Sequence, residues 1–206
     1  MVGGVSSSTH WDAVYRGGAT EDLGWYEPRP STLDLVLRFS EPADAVIDVG
    51  AGDGRLVDEL LHVGYEQITV LDLSETALER ARSRLGPVAG NVSWIHADVT
   101  VWTPRRRWDL WHDRAVFHFL VHDDDRQAYK AAALASLSAG GRMIVATFSP
   151  DGPEHCAGLP VQRYDAEALA AVFAPEFRLI EHHRLHASAT GVGDTRPYIA
   201  VVLEVR

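Results

Sequence analysis

The chain has 206 residues, 46% apolar and 23% charged, with 29 acidic against 19 basic side chains and a net charge of −10. This is the composition of one globular domain, no apolar run approaches the ~18 residues of a membrane helix, and an acidic balance disfavours a polyanionic partner, so neither nucleic acid nor membrane is expected as a partner. The single cysteine, Cys156, excludes an internal disulfide and any multi-cysteine zinc or iron–sulfur site.

The opening Met1-Val-Gly-Gly-Val-Ser-Ser-Ser8 carries neither the basic nor the apolar part of a secretion signal, so a cytoplasmic setting is expected. Trp11, Tyr15, Trp25 and Tyr26 then crowd a segment marked by Gly17-Gly18, Pro28 and Pro30. Such aromatics either cover the core of an open sheet or form a lid over a ligand. A helix is predicted from about Ser31 to Phe39. Ala45–Val49 reads as a buried strand. Arg55–Val63 reads as a helix with Leu56, Leu60 and Val63 on one face. Gln67–Leu71 is a second strand, and Glu75–Leu85 a helix stopped by Gly86-Pro87. Val92–His96 and Trp108–His112 are the third and fourth strands. Asp123–Leu137 is a long Ala-rich helix, and it carries the only lysine, Lys130, at a position read as exposed. A Schiff-base or P-loop lysine is therefore not expected. Met143–Phe148 is the fifth strand, and a helix follows over Asp165–Ala174.

Strand alternating with helix implies right-handed crossovers and a parallel sheet covered on both faces. The last two strands, in Phe177–His182 and Pro197–Val205, lack a helix between them, because Gly191, Gly193 and Pro197 punctuate the connection. They form a hairpin. The predicted fold is α/β and doubly wound: a seven-stranded, mostly parallel sheet with a C-terminal antiparallel hairpin and an N-terminal helical lid.

Asp48-Val-Gly-Ala-Gly-Asp-Gly54 follows the first strand and opens a helix. Glycines there let the backbone turn sharply and approach a ligand, beside the N–H groups of the helix start. Asp72 ends the second strand, where a carboxylate can accept from both hydroxyls of a ribose. Asp98 ends the third, where it can accept from the exocyclic amine of a purine. Each acid alone would more often cap a helix or turn. Three of them at adjacent strand ends beside one glycine loop outline a nucleoside-shaped site. The loop is not a dinucleotide fingerprint, since the place of its third glycine is taken by Arg55.

The pattern resembles class I S-adenosylmethionine-dependent methyltransferases, whose (D/E)-x-G-x-G-x-G motif is matched by Asp48, Gly50, Gly52 and Gly54. Val70-Leu-Asp-Leu-Ser74, Ala97-Asp98-Val99 and Leu137–Val145 extend the likeness. The resemblance implies S-adenosylmethionine as cofactor. Gly50, Ala51 and Gly52 would lie against its methionyl part and Asp48 would support the loop and the amino group. Asp72 with Leu73 would hold the ribose, Asp98 with Val99 the adenine. His112 would present a backbone carbonyl to the amino group, and Tyr15 and Trp25 would belong to a lid. It also implies one methyltransferase domain over 1–206: a lid to residue 40, a cofactor-binding core over 41–150, and a substrate loop and hairpin over 151–206.

Trp111-His-Asp-Arg-Ala115 is similar to the W-D-R-G-A-type segment of thiopurine S-methyltransferase-like enzymes, with His112 as an insertion, and the chain looks like a small bacterial-type member. Related segments occur in protein-lysine methyltransferases. The (D/N/S)-P-P-(Y/F) motif of enzymes methylating nucleobases or glutamine is absent. The expected reaction is methyl transfer to a small-molecule acceptor, at sulfur or another heteroatom. A protein-lysine methyltransferase is the alternative, ahead of a nicotinamide-dependent oxidoreductase or a non-catalytic nucleoside-binding module.

Arg114 could bind a substrate anion or pair with Asp113. His118 is the candidate base if residues after the fourth strand begin a helical turn, which would put it on one face with Arg114. It could equally pack among Phe117, Phe119 and Leu120. His118, His122, His155 and Cys156 could meet near the 149–160 loop, but ten histidines in such a chain bring some together by chance, and no metal is expected.

Overall fold

The computed structural model describes residues 7–188 and 195–206. Gly191 and Gly193, which the sequence marks as hairpin punctuation, lie outside the described residues.

Seven strands form the main sheet: β1 (Ala45–Val49), β2 (Gln67–Asp72), β3 (Val92–His96), β4 (Trp108–Arg114), β5 (Leu137–Phe148), β6 (Phe177–Ser188) and β7 (Thr195–Val205). Their spatial order is β3-β2-β1-β4-β5-β7-β6. β1 to β5 pair in parallel, and β7 lies antiparallel to both β5 and β6. Among the described residues six α-helices flank it: α1 (Ser8–Arg16), α2 (Leu33–Phe39), α3 (Leu56–His62), α4 (Glu75–Leu85), α5 (Asp123–Ser136) and α6 (Ala166–Phe173). This is the doubly wound, mostly parallel architecture with an antiparallel end that the alternation of elements predicts. A two-residue ladder between His155-Cys156 and Leu159-Pro160 stands apart from the main sheet.

β1 is buried along its whole length, as a central parallel strand must be. Its side chains alternate between two cores. Val46 packs with Leu33 and Val36 of α2, Leu56 and Leu60 of α3 and Leu110 of β4. Ala45, Ile47 and Val49 face Tyr129 and Ala133 of α5 and Leu169 and Phe173 of α6. Asp48 therefore projects to the α2–α3 side. The chain reverses direction of winding between β1 and β4, which opens a crevice at the carboxyl ends of the strands.

Three local expectations are corrected. Val63 is exposed, because α3 ends at His62 and Val63 is its C-cap. β5 begins at Leu137 rather than Met143: Ser136 bonds back to Ala132 O at 2.6 Å, the next residue is extended, and Leu137 already pairs with Trp108. Lys130 is buried, with its ammonium 2.6 Å from Glu176 and 2.7 Å from Ala174 O.

Candidate active site

The loop after β1 is held from below by β2. Gly50 N–H donates to Leu71 O at 2.7 Å, and Gly52 N–H to Asp72 Oδ2 at 2.7 Å. Asp72 Oδ1 accepts from Ser74 N–H at 2.7 Å. Each carboxylate oxygen keeps a lone pair for a ligand. Burial pushes the Asp72 carboxyl up to about 6, against the pull of the Ser74 and Gly52 N–H groups. Gly50 and Gly52 have φ +64° and +58°, which favour glycine. A Cβ at Gly50 would stand 1.8 Å from Val116 Cγ2, and one at Gly52 would stand 2.2 Å from Tyr15 Oη. The loop is thus a cradle that a side chain would fill.

Register places Asp48 opposite His112 in the neighbouring strand. Asp48 Oδ1 lies 2.7 Å from His112 Nδ1, and His112 Nε2 lies 2.8 Å from Thr32 Oγ1. Beyond His112, Asp113 turns away from this face. It accepts from Val116 N–H at 2.9 Å, Phe117 N–H at 3.1 Å and Tyr129 Oη at 2.5 Å. Burial pushes its carboxyl up to about 6.

Arg114 pairs with neither of its sequence neighbours. Its Nη2 lies 3.0 Å from Glu27 Oε1, and both Nη atoms donate to Trp25 O at 3.1 Å. The guanidinium sits 5.3 Å from the centre of the Tyr198 ring.

The N-terminal aromatics close over this crevice. Trp11 meets Phe119 edge-on at 5.1 Å and Trp25 at 5.9 Å, and Tyr15 meets Trp25 at 6.3 Å. Polar ties from Asp12, Arg16 and Arg80 hold α1 down. Asp12 accepts from Ser74 Oγ at 2.6 Å and Thr76 N–H at 3.1 Å. Arg80 donates to Tyr15 O and, at 3.0 Å, to Gly18 O, while its Nε lies 3.1 Å from Asp53 Oδ2. The Asp53 charge in the glycine loop is therefore matched within the protein.

One cavity gathers Tyr15, Trp25, Asp48, Gly50, Ala51, Asp72, Leu73, Asp98, Val99, His112 and Arg114. Its empty space is about 1280 Å³, open mouth included. Gly52 is not in its wall but carries the bond to Asp72. Asp98 Oδ1 accepts from Thr100 N–H at 2.9 Å and Thr100 Oγ1 at 2.7 Å, which leaves Oδ2 for a ligand. A glycine cradle, a carboxylate at the end of β2 and another beyond β3, each with an oxygen lone pair free, give the cavity the close backbone approach and the acceptors that S-adenosylmethionine needs.

His118 is a correction. β4 runs through Arg114, and only a single 3₁₀ turn, Phe117–Phe119, follows it, so no helical face joins Arg114 to His118. Asp113 forces that turn by accepting the N–H groups of residues 116 and 117. His118 is 0% exposed, outside the cavity wall, between Phe119 and Phe148. Burial, with the Arg114 charge beside it, pushes its imidazole down to about 3. Its Nδ1 accepts from Phe148 N–H at 3.5 Å. Among the described residues, no three His, Cys, Asp or Glu side chains gather where a metal ion could be held.

Sequence reasoning missed Thr32, Glu27 and Phe119 as wall residues. Thr32 and Glu27 reach β4 from 80 and 87 positions away, and no local spacing signals that.

Residues 46–141 match the family described as a methyltransferase domain. A Danio rerio eEF1A lysine and N-terminal methyltransferase is 26% identical over 164 residues, 77% of this chain and 23% of that protein. The chain spans about a quarter of the length of the first curated relatives it matches. A solved chain concerned with converting a disulfide bond into a thioacetal group during echinomycin biosynthesis superposes with a TM-score of 0.74 at 24% identity. The match covers 96% of this chain and 92% of that one. The Burkholderia thailandensis 1,6-didemethyltoxoflavin-N1-methyltransferase, solved with 1,6-didemethyltoxoflavin and S-adenosylhomocysteine, gives 0.69 at 23% identity, covering 93% and 80%. The fold is that of the class I S-adenosylmethionine-dependent methyltransferases, and the match to the methyltransferase domain lies within its β1–β5 half.

Proposed function

We propose that this chain transfers the methyl group of S-adenosylmethionine to a small-molecule acceptor, at sulfur or another heteroatom. The observation that carries the reading is the partly covered cavity. It runs from the glycine cradle, Asp72 and Asp98 to Glu27, Arg114 and Cys156 under a cover of Trp11, Tyr15 and Trp25. Space roofed in this way suits a compact acceptor better than a polypeptide.

In this reading Gly50, Ala51 and Gly52 cradle the methionyl part, with Asp48 below. Asp72 and Leu73 hold the ribose, and Asp98 and Val99 the adenine. Tyr15 and Trp25 exclude water, and Arg114 orients the acceptor. The cofactor supplies an activated methyl group, so alignment and exclusion of water are most of what the protein must add. The whole chain 1–206 acts as one domain of the small bacterial type with thiopurine S-methyltransferase-like features, in a cytoplasmic setting and without nucleic acid.

The relatives that modify eEF1A favour a second reading, a protein-lysine methyltransferase, and a net charge of −10 would attract a lysine-rich surface. A labelled-methyl screen over thiols, phenols, amines and lysine-bearing proteins separates the two. Incorporation confined to proteins would overturn the small-molecule reading.

A further inference from the structure

The cavity wall contains a hydrogen-bonded chain of which the positioning roles above use only Asp48. Thr32 Oγ1, His112 and Asp48 are linked by contacts of 2.8 and 2.7 Å. All three line the cavity, and they are 0%, 3% and 5% exposed. With a neutral ring, one tautomer satisfies both contacts. The Asp48 carboxylate can only accept, so Nδ1 carries the proton and donates to it. Nε2 then accepts from the Thr32 hydroxyl. The ring is oriented from one side by a carboxylate and meets a hydroxyl on the other, the arrangement that lets a weak acid pass a proton through an oxygen to an imidazole. The charged groups that act on this pair are Asp113, next to His112 on β4, and Asp72, on β2 beside Asp48; Arg114, two residues beyond His112, is paired with Glu27. His118 cannot serve, being sealed behind Phe119 and Phe148.

We propose that Thr32 and His112, oriented by Asp48, form the proton acceptor for a thiol or hydroxyl substrate in this same cavity, an inference that rests on the methyltransferase reading. The S–H or O–H of the acceptor donates to Thr32 Oγ1. As the acceptor atom bonds to the methyl carbon, its proton passes to Oγ1 and the hydroxyl proton passes to His112 Nε2. The bond broken is that between the methyl group and the donor sulfur, which keeps the electron pair. The imidazolium, held by Asp48, returns its proton to water after the product leaves. Charge balances: one positive charge enters as sulfonium and leaves as a proton.

The test compares wild type with His112→Gln, Thr32→Val and Thr32→Ser. The first readout needs no turnover. In ¹⁵N-histidine-labelled protein, a low-field Nδ1–H proton resonance is expected, absent in His112→Gln and shifted upfield in Asp48→Asn. A ring with Nδ1 unprotonated would overturn the chain.

The second readout uses two probe acceptors, 2-mercaptoethanol, protonated at neutral pH, and 4-nitrothiophenol, already ionised. With the first probe, kcat should fall about 100-fold in His112→Gln and Thr32→Val, in line with loss of a general base, and Thr32→Ser should recover it. With the second, the loss should be at least about tenfold smaller than with the first, since no proton needs removing. Equal losses on both probes would make the chain structural and overturn the proposal while leaving the methyltransferase reading intact. A wild type that binds S-adenosylmethionine yet methylates neither these probes nor any in the wider screen would overturn that reading, and the base with it.

Discussion

Arg114 at the end of β4 and Glu27 in the N-terminal segment meet at 3.0 Å, and the same guanidinium holds Trp25 by its carbonyl. The floor of the cavity and its cover are therefore tied by one largely buried ion pair. Removing one partner of such a pair leaves a charge uncompensated. Glu27→Ala should lose about 3 kcal/mol of unfolding free energy by denaturant titration. A loss below about 0.5 kcal/mol, the range of an ordinary surface substitution, would show that the tie holds nothing.

In the proposed reading, Asp72 makes binding dependent on pH. Its carboxyl, raised to about 6, must be ionised to accept from two ribose hydroxyls. Affinity for S-adenosylmethionine should therefore rise as pH climbs through about 6. Asp72→Asn should bind ten- to a hundredfold more weakly at neutral pH, about 1.5–3 kcal/mol, with that pH dependence flattened. Calorimetry at several pH values checks both. An unchanged affinity in a folded variant would remove Asp72 from the site.

His118 makes the fold sensitive to acid. Its folded-state value is near 3 and its unfolded value near the ordinary 6.5, so the unfolded chain binds the extra proton. The contribution of a neutral His118 is fully present above about pH 6.5 and lost as pH falls toward 3, by up to about 1.4 kcal/mol per pH unit. His118→Phe removes the titrating group, so the variant's stability relative to wild type should rise as pH falls across that window, the oppositely signed Asp72 and Asp113 being common to both proteins. Parallel curves for the two proteins would place the acid sensitivity elsewhere.

Arg80 makes several of the polar ties that hold the cover over the cavity. Limited proteolysis between residues 10 and 30 should be slowed by saturating S-adenosylhomocysteine. Arg80→Ala should speed it about tenfold without ligand, the effect of losing roughly 1.4 kcal/mol. Equal rates with and without ligand would mean that the cover does not answer to it.

Much of the fold was legible because its signals are local. The alternation of apolar runs with helical patterns gave the sheet, and Asp48, Gly50, Gly52 and Gly54 announced a glycine turn after a strand. Asp72 and Asp98 could be placed because strand ends are readable. What escaped depends on register and long-range contact. Nothing near Thr32 indicates that it meets His112, and nothing near Glu27 that it meets Arg114. His118 misled because i, i+4 spacing predicts a shared face only on a helix. Asp113, by bonding two successive N–H groups, turned the chain too tightly for one.

β7 lies between β5 and β6, antiparallel to both. Every residue of the cavity precedes it in the chain. During synthesis from the N-terminus, the ribosome thus delivers the complete ligand-facing surface before the strand that joins the two halves of that flank. Until β7 arrives, the long edge of β5 has unpaired backbone groups and β6 has no neighbour to join. An unpaired edge invites pairing with other chains. Early ligand binding could steady the β1–β4 half during that interval, while the order of synthesis leaves the opposite flank as the nascent protein's aggregation-prone side.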